Sequence, residues 1–150
     1  MAVGAAALGA ACAVFDPDGR VLLVRHTYGD RNWDLPGGGS LDGEDPRTTA
    51  RRELLEETGL DIEPGPLTGI YYEVAHDAGP FLHVVFRIEW MPGQTVPAPR
   101  SPEVDAVEFW PIRALPRPLS DFTANRIDDA STGRAVARTV HARGWLPDPD

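Results

Sequence analysis

The chain has 150 residues and a formal net charge of −9, a size that suits one domain and a balance that lacks the clustered cations needed for groove binding to DNA or RNA. All 14 basic residues are arginine, and a single cysteine, Cys12, rules out an intrachain disulfide, in keeping with a cytoplasmic setting. A chain of this length buries about 68–70% of its unfolded surface, enough for a real core.

The stretch from Met1 to Phe15 is apolar and rich in alanine. It lacks the positive n-region of a signal peptide and is too short to cross a membrane, so it reads as a few loose residues leading into a first strand. The expected organisation is one domain over 1–150, with short flexible ends near 1–5 and 146–150 and no membrane contact. A homodimer is left open.

Residues 8–15 and 20–26 read as strands around the turn signal Asp16-Pro17-Asp18-Gly19. Next, Trp33-Asp34-Leu35-Pro36 is a short extended run ahead of Gly37, Gly38 and Gly39. Three glycines let backbone approach a ligand closely, although an ordinary turn has the same composition. No G-K-[ST] follows, which excludes a nucleotide P-loop.

A helix is expected over 46–58. Asp45 can cap it, Pro46 suits its first position, and Gly59 tolerates the left-handed conformation that stops it. At about 100° per residue, Glu53, Glu56 and Glu57 share one narrow face, read as the wet one, while Ala50 and Leu54 beside it can meet a core. Each like-charge pair costs roughly 0.2–0.5 kcal/mol on an exposed helix. A solvated face is the plain explanation, but such faces mix signs, and here only Arg52 stands alongside, able to pair with Glu56 one turn on. A divalent cation would relieve the remaining repulsion, since hard cations such as Mg2+ take oxygen ligands.

Further along, 67–75 and 81–90 read as a hairpin across Asp77-Ala78-Gly79. Residues 91–102, with Pro92, Pro97, Pro99 and Pro102, form a loop, and 104–110 is another strand. Helices are expected near 119–128 and 132–142, with Ser131 as a cap for the second, and 146–150 as a frayed end. This order suits a mixed sheet with helices on both faces.

From Gly38 to Leu60 the residues follow G-x5-E-x7-R-E-U-x-E-E-x-G-U, where U is bulky and aliphatic: Gly38, Glu44, Arg52, Glu53, Glu56, Glu57 and Gly59 are in register, with Leu54 and Leu60 in the aliphatic places. In this the chain resembles the Nudix hydrolase family. The resemblance implies an α/β class fold, an α/β/α sandwich around a mixed β-sheet. It also implies hydrolysis of a nucleoside diphosphate linked to another group, by water attack at phosphorus, with Mg2+ as cofactor and Mn2+ as a possible substitute. Glu53, Glu56 and Glu57 match the family's metal ligands, joined by the backbone carbonyl of Gly38. Arg52 would orient these carboxylates, and Glu44 would support the site. The general base varies within the family: it is Glu53 or a glutamate from a distant loop. Glu103, just past the proline-rich loop, is the candidate for the latter, level with its plainer reading as a surface carboxylate.

His26, His76, His83 and His141 have no zinc spacing and read as surface or strand histidines. Tyr28, Tyr71, Tyr72 and Phe81 could stack on a base, though strand aromatics are usually core, and Arg25 could reach a phosphate. The expected partner is a small nucleotide. Two alternatives stand beside the hydrolase: a nucleotide sensor without turnover, which would not need the glutamate set, and an enzyme of RNA 5′ ends, which the acidic balance disfavours.

Overall fold

Alternation in the first strand decides the layering of the molecule. In the computed structural model, which describes residues 2–74 and 79–150, β1 spans Ala7–Phe15. Its Ala10, Cys12 and Val14 enter one apolar cluster and its Ala11, Ala13 and Phe15 enter another. Successive side chains of a strand point to opposite faces, so these are the two faces of one sheet.

Around β1 lie β2 (Val21–His26), β3 (Trp33–Asp34), β4 (Gly37–Gly39), β5 (Leu67–Glu73), β6 (Phe81–Glu89), β7 (Val104–Trp110) and β8 (Val136–Val140). The path across the sheet is β3-β2-β1-β6-β5-β8, with β4 added to β1 and β7 to β2. β1 and β6 run parallel, as do β5 and β8, and the remaining pairs are antiparallel, which makes the sheet mixed. Helix α1 (Pro46–Thr58) covers one face through Ala50 and Leu54. Helix α2 (Asp121–Thr132) covers the other through Phe122, Ile127 and Ala130. The expected mixed sheet with a helix on each face is what the chain forms.

α1 has the expected bounds and the expected caps. Asp45 accepts from Thr48 N at 2.9 Å, and Gly59 ends the helix at φ 79°. β5 and β6 pair antiparallel as a hairpin. Met1, Ala75, His76, Asp77 and Ala78 lie outside the described residues, and with them the end of the expected 67–75 strand, most of the turn and the reading of His76.

Three expectations change. The three glycines are not only a loop: Gly37–Gly39 pair with Ala11, Ala10 and Gly9 as a short antiparallel strand. Only one helix occupies the C-terminal part; the segment expected as a helix near 132–142 contains β8, a parallel edge strand beside β5. Val136 and Val140 satisfy a helical i,i+4 spacing and a strand's alternation alike, and pairing with Gly69–Glu73 decides for the strand. Ser131 is accordingly no cap. It sits inside α2 and its hydroxyl donates to Asp128 O, whereas the cap is Ser120, which accepts from Thr123 N at 3.0 Å. Near the end of the chain, Leu146 N donates to Leu119 O at 2.9 Å and its side chain packs on the α2 cluster. Among the described residues no helix is long and apolar enough to cross a membrane.

Candidate active site

The glycine arm and α1 meet edge-on. A Cβ on Gly38 would lie 2.7 Å from Glu53 Cδ, and one on Gly37 would lie 2.5 Å from Ala10 O. Glycine is therefore needed here for close approach, to the Glu53 carboxylate on one side and to β1 on the other. Gly37 N donates to Glu57 Oε1 at 3.2 Å, which draws Glu57 inward.

Glu57 is consequently not on a wet face. It is 6% exposed and lies against Glu53. Burial first, and the neighbouring Glu53 carboxyl second, push its pKa up to about 9. Glu57 Oε2 is buried without a hydrogen-bond partner. Two ionised carboxylates have no proton to share, so this pair calls for a proton or a cation between its oxygens. Unmatched buried oxygens of this type fit a hard divalent ion, and Gly38 leaves no room there for a side chain.

Arg52 organises the rest. Its Nε and Nη2 donate to the two Glu44 oxygens at 2.8 and 2.9 Å, its Nη1 donates to Glu53 Oε1 at 2.8 Å and to Glu56 Oε2 at 3.2 Å, and Nη2 also reaches Gly39 O at 3.0 Å. The expected Arg52–Glu56 pair is present, but the bidentate partner is Glu44. Hydrogen bonds from Arg52 and Thr49 bring the Glu44 pKa down to about 2. Glu56 stands apart from the buried pair, its side chain 55% exposed. Among the described residues no three His, Cys, Asp or Glu side chains converge as a ready-made ligand set.

Glu103 arrives by another route. The loop after β6 docks on the end of α1, where Ala98 N donates to Thr58 O and Arg100 N to Glu57 O. These bonds satisfy carbonyls that a helix C-terminus leaves open. The chain then ties to the loop after β2: Thr27 N donates to Glu103 O at 2.9 Å and Thr27 Oγ1 to Pro102 O at 2.9 Å. The Glu103 side chain is exposed, and its charge reaches Tyr28 next door. Burial raises the Tyr28 pKa, and Glu103, Glu57, Asp34 and Glu53 add to the rise. Tyr28 thus lies within reach of the charges of Glu103, Glu53 and Glu57 alike.

Behind the glycine arm lies a cavity of about 250 Å3, lined by Gly37–Gly39, Tyr28, Phe81 and four residues that composition does not single out: His26, His83, Asp34 and Arg126. Asp34, partly exposed, pairs with the buried Arg126 at 2.8 Å, with Thr123 Oγ1 also donating to Asp34 Oδ1. Burial opposes the Asp34 charge, but Arg126, His26 and Thr123 outweigh it and hold the carboxyl below its usual range. His26 Nδ1 and Arg126 Nε are buried without partners. The sequence reading takes His26 and His83 for surface or strand histidines, and both do lie in strands, but it gives none of the four a place at the site. Their only signal is an ordinary polar residue in or next to an apolar run, and their partners are distant in sequence. Of the aromatic candidates, Tyr28 and Phe81 line the cavity, Tyr71 is core at 1% exposure, and Tyr72 faces outward. Arg25 is engaged by Asp105 at 2.7 Å.

The family model described as NUDIX domain matches residues 6–130. A MutT-like protein from Streptomyces ambofaciens is 44% identical over 54 residues, 36% of this chain and 34% of that protein. An ADP-ribose pyrophosphatase from Mycobacterium tuberculosis is 51% identical over 55 residues, 33% of this chain and 26% of that protein. The chain thus spans about a third of the length of the curated relatives it matches. Among solved structures, a MutT NUDIX hydrolase from Burkholderia pseudomallei superposes with a TM-score of 0.70 at 24% identity, over 84% of this chain and 98% of that one. The NUDIX domain of Shewanella oneidensis NrtR, in complex with ADP ribose, gives a TM-score of 0.72 at 20% identity, over 87% and 90%. At these identities the structural likeness speaks for the fold.

Proposed function

The chain belongs to the Nudix family, and from that premise we propose that it is a divalent-metal-dependent hydrolase that cleaves the pyrophosphate bond of a nucleoside diphosphate linked to another group. The observation that carries this is the buried Glu57 against the half-buried Glu53, with one Glu57 oxygen lacking a hydrogen-bond partner among the described residues, at the glycine arm beside a cavity. A site of that kind is costly to the fold and fits a ligand cation.

Glu53, Glu57, Glu56 and the carbonyl of Gly38 would hold Mg2+, with Mn2+ as its substitute. When bound, the cation supplies charge neutralisation on the diphosphate and easier ionisation of the attacking water. The chain's residues do the remainder. Arg52 holds Glu53 and Glu56 in place while its own orientation is set by Glu44. Glu103 is the outside glutamate suited to take the proton of the water that attacks phosphorus; the bonds from Thr27 to Glu103 O and Pro102 O, which tie its loop beside the cavity residue Tyr28, support it. The leaving group is a phosphate ester of the linked moiety or the nucleoside monophosphate.

The reading extends to a single domain acting on a small nucleotide rather than on DNA, in the cytoplasm, consistent with the net charge of −9. A panel of nucleoside diphosphate derivatives with Mg2+, scored by released phosphate or nucleoside monophosphate, tests it. Turnover that vanishes in EDTA is expected; full turnover in excess EDTA, or nucleotide binding with no product at all, refutes it.

A further inference from the structure

The cavity beside the glycine arm carries a histidine that the hydrolytic chemistry leaves unused. His83 lies on β6 opposite Gly9 of β1, and its ring lines the cavity. Its Nε2 is 2.8 Å from Glu73 Oε1. Glu73 is 3% exposed and is gripped from its other side by Arg143, whose Nε and Nη2 donate to Oε2 and Oε1 at 2.6 and 2.7 Å. That bidentate hold keeps Glu73 ionised.

An ionised carboxylate only accepts, so the proton must sit on His83 Nε2. Burial, with the Arg126 and Arg143 guanidinium groups nearby, keeps the ring neutral and brings its pKa down to about 4 against the pull of Glu73. A neutral ring protonated at Nε2 presents Nδ1 as a lone-pair acceptor. No described residue donates to that atom. The ring cannot easily reorient: Phe81 lies over it at 4.4 Å between centroids, and Phe122 meets it edge-on at 4.9 Å.

The plainer role for His83 is to satisfy a buried Glu73. Arg143 already meets both Glu73 oxygens, so that role does not need the histidine. Nor does it explain why the ring borders about 250 Å3 of open space next to the candidate active site.

We propose that His83 is a specificity-determining residue of this cavity, its Nδ1 fixed as an acceptor by Glu73 and Arg143 so that it takes a hydrogen bond from an uncharged O–H or N–H donor on the nucleoside part of the substrate. The proposal rests on the hydrolase reading above. A substrate that presents an acceptor, or nothing, at that point shuts this cavity-facing atom off from water without a partner and binds worse, by about 10–100-fold.

The test uses matched nucleoside diphosphate derivatives: ribose against 2′- and 3′-deoxyribose for the O–H source, guanosine against inosine and adenosine against purine riboside for the N–H source. KM and kcat are measured with Mg2+, and Kd is measured with α,β-methylene analogues that cannot be hydrolysed. His83→Gln places an amide N–H where the imidazole Nε2–H was, so it keeps the Glu73 bond and removes the Nδ1 acceptor. The wild type should favour the donor-bearing member of at least one pair by about tenfold or more, in KM and Kd rather than in kcat. In His83→Gln that preference should fall away with kcat kept. A wild type with no preference in any pair, or a variant that keeps the full preference, overturns the role. Nitrogen chemical shifts of His83 in the intact wild type give a second reading that needs no variant: a proton on Nδ1 overturns the proposal. If the analogues bind with a preference that His83→Gln abolishes, yet no substrate is cleaved, His83 keeps its role and the hydrolase reading falls.

Discussion

Glu57 answers to two opposed demands, one from folding and one from chemistry. Without a cation it is a buried carboxylate facing another, with its pKa pushed up to about 9. Glu57→Gln keeps the shape and removes the charge, so the variant should melt a few degrees above the wild type in EDTA at pH 8, since about 1 kcal/mol moves a domain of this size by roughly 2–8 °C. The same change should lower turnover with Mg2+ by about 100-fold or more. Unchanged turnover together with unchanged Mg2+ affinity would take Glu57 out of the site. Arg52 poses the complementary case. Arg52→Ala strips Glu44, Glu53 and Glu56 of a shared partner, and activity should drop by about 10–100-fold, as when an orienting partner is lost behind a metal ligand. Arg52→Lys should not restore it, because one ammonium cannot reproduce the fork on Glu44. Steady-state kinetics beside circular dichroism separates this from unfolding.

Helix α1 is where local chemistry and tertiary structure agree most closely. Asp45, Pro46 and Gly59 act on their immediate neighbours, so their effect can be read without knowing the fold. Gly59 is at φ 79°, and a Cβ there would lie 3.0 Å from Arg100 Nε. Gly59→Ala should therefore cost about 1–2 kcal/mol in urea unfolding, from the left-handed strain plus a crowded contact; a change within about 0.3 kcal/mol would show that the helix end relaxes freely. The segment after α2 shows the opposite situation. Nothing local tells Val136–Val140 to be a strand, because its apolar spacing serves either period and its only ladder partner is β5. The depth of Glu57 was hidden for a similar reason: helical spacing shows which residues share a face, but the Gly37 amide and the loop carrying Arg100 decide which way that face points. The proposed metal-binding carboxylates Glu53, Glu56 and Glu57 fall within five positions of one another, so a sequence alone suffices to propose them. The cavity residues His26, Asp34, His83 and Arg126 come from three strands and a helix, and only their assembly gives them a common purpose.

Across the whole molecule, charge pairs join elements that share no backbone hydrogen bonds. Asp34 on β3 is bound to Arg126 on α2, 92 residues apart. Asp34→Ala leaves a buried guanidinium at the cavity wall without its counter-charge, and the cost should be about 3–5 kcal/mol in chemical denaturation; a loss under about 1 kcal/mol would mean that water from the cavity compensates Arg126. His83, Glu73 and Arg143 form a second cluster, which ties the paired strands β5 and β6 to the C-terminal segment. The folded His83 binds a proton less readily than the unfolded one, with a pKa of about 4 against 6.5. Its contribution is therefore complete above pH 6.5 and is lost as pH falls from there to about 4, by at most about 3 kcal/mol. Melting temperatures taken across that window should slope downward with acid in the wild type and less so in His83→Gln. Equal slopes would place the acid sensitivity elsewhere.

The glycine arm sits at a seam between two kinds of inheritance. On one side of Gly37–Gly39 the carboxylates, Arg52 and Glu44 occupy a single run of the chain, with Arg52 joining Glu44, Glu53 and Glu56. On the other side, the cavity wall is gathered from β1, β2, β3, β6, α2 and the C-terminal segment. Among the described residues His83 shares no hydrogen bond or ion pair with the Arg52 network, so that part of the wall can drift while the proposed hydrolytic groups stay as they are. Descendants of such a chain would diverge in what they accept long before they diverge in what they do to it. A directed library confined to His26, Tyr28, Phe81 and His83 should then yield altered nucleotide preference at preserved kcat, an outcome that no library within Gly38 to Leu60 should match.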